Sequence, residues 1–405
     1  MLKGFQLLIL ANQPPLPQVW PALLCLPALC VIIAGMTADS DSLYMRQALA
    51  LARRGRGKTS PNPMVGAVIV KGGRVIARGY HHAFGKDHAE VDALKHAVED
   101  VAGATLFVTL EPCRHYGKTP PCTDAIIKSK IGRVVIGMLD PDPRMMGESV
   151  KLLQENGIKT TVGVLEAECL TLNEKYITHR TTGRPYVTLK WTQTLDGKIA
   201  AARGSSSRFT SPPSLKLAHR LRAGHDAILV GVGTVIKDNP ELTTRLVKGR
   251  NPRRIILDSH LRIPLEAKVL SNQDKAKTLV ATTTSAPQQK LAALEAMGVE
   301  VLIVPPDTDG RVDLPKLLKT LGSRDISSLL VEGGAAVITS FLRLGLPDKL
   351  VVIIAPKILG AGTDAVRNLN ITDLARAYKL TFDKVYRSGT DMVVEGRLES
   401  GTPRD

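Results

Sequence analysis

His88, Cys113 and Cys122 are far apart in the chain, yet their side chains are of the kind that shares one metal ion. A chain that uses them so must bring three separate segments to one point. One imidazole and two thiolates make three protein ligands, which leaves the fourth position of a tetrahedral zinc open, as a catalytic site requires. Glu90 stands two residues past His88, near enough to work beside the metal without binding it. Each part is weak alone, since His-Ala-Glu occurs in many helices. In order and within 35 residues, His88-Ala89-Glu90, Pro112-Cys113 and Cys122 form a strong signal. Two unpaired buried cysteines and a surface histidine are the plain alternative, which explains neither the Glu nor the prolines.

Hydrolytic deamination of a nucleobase-like ring needs this combination: an open metal position for water, and a non-ligand carboxylate that moves a proton to the departing ammonia. The common spacing in such enzymes is Pro-Cys-x-x-Cys. Here eight residues, Arg114 to Pro121, separate the two cysteines.

The 405 residues leave room for two or three domains with more than one core. High aliphatic and low aromatic content suits an α/β architecture. The five cysteines are too few and too scattered for a disulfide framework, which points to a reducing cytoplasm. A net charge of +16 invites a nucleic-acid reading. The basic residues are spread along the chain without a block of five or interleaved aromatics, so phosphorylated ligands fit better. Residues 1–35 do not match the rest. Val19–Gly35 is apolar like a signal peptide or short anchor, but Pro14, Pro15, Pro17, Pro21 and Pro27 argue against a regular spanning helix. Met36 opens a conventional soluble sequence. The plainest reading is a start assigned too far upstream, with a targeting segment as the alternative.

Ser40 or Ser42 is expected to cap a first helix running to about Arg54. Val65–Val70 and Arg74–Tyr80 read as a hairpin around Gly72-Gly73. His88–Val98 reads as a helix with His88 in its first turn, Thr105–Leu110 as a strand, Thr123–Ser129 as a helix, Arg133–Met138 as a strand and Glu148–Asn156 as a helix. Both cysteines are expected where loops lead into helices, whose free N–H groups favour thiolates. The polar stretch Thr178–Pro185 marks a domain boundary. Beyond it, strands are expected near Tyr186–Trp191, Ala227–Val232, Arg254–Leu257, Thr278–Ala281, Val299–Val304, Ser328–Val331 and Lys349–Ile354. Helices are expected near Ser214–Ala223, Gln288–Met297, Leu314–Leu321 and Ala335–Leu344, and the tail Tyr378–Leu398 as an antiparallel pair. Glu332-Gly333-Gly334 follows a strand and opens a helix, a turn that lets phosphate approach free N–H groups. Gly231-Val232-Gly233-Thr234 lacks the third glycine of a dinucleotide fingerprint. Unaided, these features reach only a nucleotide-binding α/β domain.

From about Asp41 onward the chain resembles the bifunctional riboflavin-biosynthesis deaminase–reductase family. The resemblance rests on Pro61-Asn62-Pro63-Met64-Val65-Gly66, Gly79-Tyr80-His81, His88-Ala89-Glu90 and Glu111-Pro112-Cys113 through Gly117-Lys118-Thr119-Pro120-Pro121-Cys122. The second half adds Leu195-Asp196-Gly197-Lys198, Thr210-Ser211, Asp238-Asn239-Pro240 and Val331-Glu332-Gly333-Gly334. The longer cysteine spacing is itself a mark of this family among zinc deaminases.

The resemblance implies a cytidine-deaminase-like three-layer α/β/α domain over residues 39–180 and a dihydrofolate-reductase-like α/β domain over 184–402, preceded by the atypical segment 1–38. It implies deamination of 2,5-diamino-6-(5-phosphoribosylamino)pyrimidin-4-one to 5-amino-6-(5-phosphoribosylamino)uracil, then reduction of the ribose to ribityl with NADPH. His88, Cys113 and Cys122 carry over as Zn²⁺ ligands and Glu90 as the proton carrier. Asn62, His81, His115 and Lys118 fall at substrate-facing positions, a solvated loop being the alternative for the last two. NADPH contacts fall on Thr192, Arg208, Thr234, Asp238, Ser259 and the run Gly334, Ala335, Ala336, Val337, Ile338, Thr339 and Ser340. Reductase-substrate contacts fall on Ser206, Arg222, Leu242, Arg245 and Glu332, and Asp196 is expected to order a strand end. A homodimer is expected, with neither nucleic acid nor stable membrane association. A nucleic-acid deaminase with an accessory or inactive second domain is the alternative function. Two departures stand out: Asp142 with Arg144-Met145-Met146 where the family has an Asn and a small basic turn, and Arg208 where it has an aromatic.

Overall fold

The computed structural model describes residues 27–143, 145–201 and 209–399, with side chains from residue 40 onward. Helix α1 spans Pro27–Ala52. Ser40 and Ser42 therefore lie inside it instead of capping its start. Pro27 occupies the first helical position, where its missing N–H costs nothing, and no later proline interrupts the run. No helix among the described residues is long and apolar enough to cross a membrane.

The first half continues with β1 (Gly66–Lys71), β2 (Arg74–Tyr80), α2 (Ala89–Lys95), β3 (Thr105–Val108), α3 (Cys122–Lys128), β4 (Arg133–Ile136), α4 (Glu148–Glu155), β5 (Lys159–Val162), α5 (Glu166–Leu172) and α6 (Glu174–Thr182). Its sheet has the order β2-β1-β3-β4-β5. β1 is antiparallel to both neighbours, whereas β3, β4 and β5 run parallel. Gly72 and Gly73 both have positive φ, as a two-residue hairpin with the strands' twist demands. Residues 66–70 are buried throughout, so both faces of β1 are covered. Gly79 pairs with Ala67, which places Gly66 and Gly79 on opposite faces. A Cβ on Gly66 would lie 2.0 Å from the Ala48 carbonyl oxygen of α1, and one on Gly79 would lie 2.3 Å from the Ala93 nitrogen of α2. One helix thus presses on each face, and the result is three layers, α/β/α.

The second half consists of β6 (Tyr186–Thr194), β7 (Lys198–Ala201), α7 (Pro212–Ala223), β8 (Ala227–Gly231), α8 (Val232–Asp238), β9 (Arg253–Leu257), β10 (Thr278–Thr282), α9 (Gln288–Ala296), β11 (Glu300–Ile303), α10 (Leu314–Gly322), β12 (Ser328–Val331), α11 (Ala335–Arg343), β13 (Lys349–Ala355), β14 (Gly362–Asp364), β15 (Leu380–Ser388) and β16 (Asp391–Leu398). Among the described residues, nine strands form one sheet in the order β11-β10-β9-β8-β12-β6-β13-β16-β15, while β14 and β7 make a separate ribbon. The strands from β11 to β13 are parallel, and the β16–β15 hairpin closes one edge antiparallel. Apolar runs such as Ala227–Val230 are buried on both faces, as a parallel sheet covered by helices requires. Between the halves, α6 ends at Gly183, whose φ of 68° suits the left-handed cap. Only Arg184 and Pro185 then precede β6.

Candidate active sites in the two halves

Three segments of the first half meet at His88, Cys113 and Cys122, and their ligand atoms all lie within 4.8 Å of one another. His88 is the residue that precedes α2, with φ −73° and ψ 162°, so it caps the helix from outside instead of lying in its first turn. Cys122 opens α3. Cys113 sits in the loop before it and not at a helix start. The backbone N–H of Cys122 nevertheless points at its sulfur, 3.4 Å away. His88 Nδ1 lies 3.5 Å from Cys113 Sγ and 3.3 Å from Cys122 Sγ. Tetrahedral zinc with ordinary Zn–N and Zn–S bonds sets nitrogen and sulfur about 3.6 Å apart, so the donor set fits zinc.

Glu90 projects from the first turn of α2 and is only 3 % exposed. Burial pushes its carboxyl up to about 7, against the opposing pull of His88. The Cys122 thiol touches it as well. Hydrogen bonds from Cys122 and His88 hold the Cys113 thiol well below its ordinary range, which favours the thiolate a metal needs.

Asn62 and His81 stand beside this cluster. The His81 ring meets the His88 ring edge-on, with centroids 5.3 Å apart. His81 Nδ1 is 2.9 Å from the Asp87 carbonyl and must donate to it, so its Nε2 is left to accept the Asn62 amide at 3.4 Å. Burial lowers the His81 pKa, consistent with a neutral ring. His115 and Lys118 lie on the exposed loop between the cysteines, with Lys118 Nζ 3.9 Å over the Phe84 ring. The fold thus gathers Asn62 and His81 at the metal ligands and holds the other two at the rim.

One residue here has no role in the sequence reading. Glu111 is buried and accepts N–H groups from Asp140 (3.1 Å), Gly147 (3.0 Å) and Ser149 (3.0 Å). It thereby ties Asp140, Gly147 and the start of α4 to the segment that carries Cys113. The signal was Glu111 itself, a charged residue directly before Pro112-Cys113.

In the second half a cleft of about 1020 Å³ opens outside the C-terminal ends of β8, β9 and β12, where ligands bind in open α/β sheets. Thr234, Asp238, Ser259, Gly334, Ala335, Ala336, Val337 and Ser340 line it. Gly334 precedes α11, and the helix start from Gly334 to Val337 lines the cleft, so the lining fits a dinucleotide phosphate. A Cβ on Gly333 would come within 2.4 Å of Val337, which explains glycine at this turn. Ile338 and Thr339 turn the other way, into the core, as the far face of a helix must. The Thr339 hydroxyl is spent on the Ala335 carbonyl. Thr192 is half-buried on β6, outside the cleft lining. Arg208 and Ser206 lie outside the described residues.

Arg222, from α7, donates to Glu332, Nη2 to Oε2 at 2.6 Å. Burial alone would raise the Glu332 carboxyl, but Arg222 and Lys190 hold it down at about 2. Lys190, unassigned in the sequence reading, is half-buried near the pair, and desolvation lowers its pKa. A lysine inside the apolar run of β6 was the available signal. The Arg245 backbone N–H reaches His219 Nδ1 at 3.0 Å, and its guanidinium reaches Glu241 at 2.8 Å. Leu242 is buried in the core at a φ of 53°, so the structure does not present it to a ligand as the sequence suggested. Asp196 accepts from the Leu359 and Gly360 N–H groups, at 3.1 and 2.7 Å, and ties the end of β6 to the loop after β13.

Comparison with known proteins agrees with both halves. Residues 38–138 match the model of the cytidine and deoxycytidylate deaminase zinc-binding region, and residues 185–394 match the RibD C-terminal domain. The riboflavin biosynthesis protein RibD of Aquifex aeolicus is 49 % identical over 89 % of this chain and 99 % of its own length. That of Escherichia coli K12 is 38 % identical over 87 % and 98 %. The structure of RibD from Acinetobacter baumannii (form 1) superposes with a TM-score of 0.82 at 35 % identity, covering 90 % of this chain and all of that one. With a zinc-binding deaminase domain joined to an NADPH-dependent reductase domain, the chain belongs to the RibD family of bifunctional riboflavin-biosynthesis enzymes.

Proposed function

We propose that the first half removes the 2-amino group of 2,5-diamino-6-(5-phosphoribosylamino)pyrimidin-4-one and that the second half reduces the ribosyl group of the product, 5-amino-6-(5-phosphoribosylamino)uracil, to ribityl. The observation that carries this reading is the convergence of His88, Cys113 and Cys122 beside a buried Glu90. A solved relative from Thermotoga maritima, 40 % identical with a TM-score of 0.79, bears the name of this deaminase and reductase pair.

Zinc held by His88 Nδ1 and the two thiolates would supply the Lewis acid that makes water nucleophilic near neutral pH. Glu90 takes the proton of the attacking water on its carboxylate and returns it to the leaving nitrogen, a task suited to a carboxyl poised near neutrality. Asn62 and His81 orient the ring, and Lys118 with His115 meets the phosphate from the exposed loop. In the second half NADPH would supply the hydride. Thr234, Asp238, Ser259, Ser340 and the start of α11 would hold it. Arg222 and Arg245 suit the sugar phosphate, because a planar guanidinium matches phosphate oxygens, and Glu332 fixes Arg222 in place.

A division near Gly183, between the expected domains 39–180 and 184–402, is supported by the end of α6 there and by the start of β6 at Tyr186. A cytoplasmic setting is supported by the free thiols of Cys113, Cys122 and Cys169. A homodimer is supported by the edge strand β15, where Leu380 (42 %), Phe382 (61 %) and Val385 (54 %) are exposed. The deciding experiment is a split assay on zinc-loaded protein with the diaminopyrimidine ribotide. Ammonia release without NADPH, then NADPH oxidation once it is added, is the expected course. Absence of ammonia from metal-loaded protein would overturn the substrate assignment.

A further inference from the structure

The two halves meet at the N-terminal ends of the parallel strands, away from the cofactor cleft. Asp226 immediately precedes β8, and its side chain is 9 % exposed. One oxygen, Oδ2, accepts the Ser327 N–H (3.0 Å), the Ser327 hydroxyl (2.7 Å) and the Ser328 hydroxyl (2.9 Å). The other oxygen is paired with Arg250. Ser327 Oγ also lies 2.9 Å from Ser60 Oγ of the first half. A carboxylate only accepts. The Ser327 hydroxyl is therefore committed as donor to Asp226, and the Ser60 hydroxyl must donate across the boundary, to Ser327 or to Asp226 itself.

Ser60 sits inside a tight turn in which the Asn62 N–H returns to the Thr59 carbonyl at 2.9 Å. Asn62 faces His81, and His81 packs on the zinc ligand His88. The same stretch is pressed on the second half at Gly57, where a Cβ would lie 2.8 Å from the Ala223 carbonyl oxygen. Nearby, Lys175 donates to the Gly224 carbonyl at 2.5 Å. A charged anchor in one half thus leads through two hydroxyls to a substrate-facing side chain of the other.

We propose that Asp226 of the reductase half is a positioning residue for deamination: through Ser327 and Ser60 it sets the 59–62 turn and aims Asn62 at the deaminase site. The proposal rests on Asn62 facing the substrate, as read above. Asp226 lies at one end of β8 and the cleft residue Gly231 at the other, roughly 15 Å away at the rise of a strand. Loosening this anchor therefore spares hydride transfer.

The test uses the full-length, zinc-loaded chain. Ammonia release from the diaminopyrimidine ribotide is measured without NADPH, and NADPH oxidation is measured separately with the deaminated ribotide supplied. Ser60→Ala and Asp226→Asn are each expected to raise the KM for deamination about 10-fold, the size of one charge-assisted hydrogen bond. Zinc content and kcat/KM for reduction stay within twofold of the parent. Ser60→Thr, which keeps the hydroxyl, restores the parent KM. Asn62→Ala raises KM by itself, and adding Ser60→Ala to it changes nothing further, because both act through one side chain. Should Asp226→Asn fail to fold, Ser60→Ala, Ser60→Thr and the double variant still decide the matter. A parent-like KM in Ser60→Ala while Asn62→Ala is impaired overturns the relay and leaves the role of Asn62 standing. Independent losses in the double variant overturn it equally. A parent-like Asn62→Ala overturns the reading of Asn62, and the relay with it.

Discussion

Glu90 and Cys113 differ by one criterion, contact with the metal, and substitution separates them. Glu90→Gln keeps the shape and removes the ionisable oxygen, so zinc content is expected to remain near one per chain while ammonia release falls by at least the 10²–10⁴-fold typical of a lost acid–base group. Cys113→Ala is expected to lose both; zinc retained in that variant would refute the ligand assignment. These residues were legible because ligand chemistry restricts residue type and order. Glu111 and Lys190 were harder, because their roles arise from what folds around them. Three N–H groups arrive at Glu111 from a loop some thirty residues away, and only the fold puts Lys190 beside Glu332. The buried pair Arg222–Glu332 gives a pH signature. The Glu332 carboxyl is held at about 2, below its ordinary 4.5. Its contribution to stability is therefore complete above pH 4.5 and is lost as pH falls from there toward 2. Arg222→Leu leaves a buried carboxylate without its partner, a change expected to cost about 3–5 kcal/mol and to raise the acid-unfolding midpoint. Circular dichroism across pH 2–6 measures it.

Elements place the ligands, and α2, which carries Glu90, packs directly on β2. Gly79 lets the α2 backbone close on the strand that leads to His81, while the same helix begins at His88 and carries Glu90. Gly79→Ala puts a methyl group 2.3 Å from the Ala93 nitrogen, so α2 must move outward. Overpacking of this kind costs about 1–3 kcal/mol, and the displaced His88 is expected to show as weakened zinc retention under competition with a chelator. Parent-like retention would mean that the strand yields instead. At this scale the sequence was read best where pattern and punctuation coincide. β2 and β12 begin and end where expected because turn glycines and charged residues bound their apolar runs. α2 is shorter than expected, ending at Lys95, because the Val98 N–H leaves the helix and bonds the Ile76 carbonyl of β2 instead. β5, Lys-Thr-Thr-Val, went unread because an edge strand facing water has no apolar alternation to show. α1 begins earlier than expected because a serine caps a helix only where the chain before it is not already helical.

Among the described residues each large sheet carries its own packing, and the metal-ligand cluster stands beside only the five-stranded one. The first core, with Val68, Ile69, Leu106 and Val134 fully buried, runs through α1, α2 and the five-stranded sheet without help from the ligands. Zinc is thus expected to be needed for chemistry and not for the fold, unlike small zinc domains that unfold without metal. The nine-stranded sheet is packed separately on its two faces, and the cleft lies at the strand ends opposite the junction with the first half. Removing zinc with a chelator is therefore expected to abolish ammonia release while leaving the far-ultraviolet circular dichroism unchanged. NADPH oxidation with supplied 5-amino-6-(5-phosphoribosylamino)uracil should continue at the parent rate, and added zinc should restore ammonia release alone. Loss of both activities on chelation would show that the metal supports the junction at Ser60, Ser327 and Asp226, making the halves one cooperative unit. Asp226, at the junction, and Gly231, in the cleft, stand at opposite ends of β8, and that separation is why chelation is expected to spare hydride transfer.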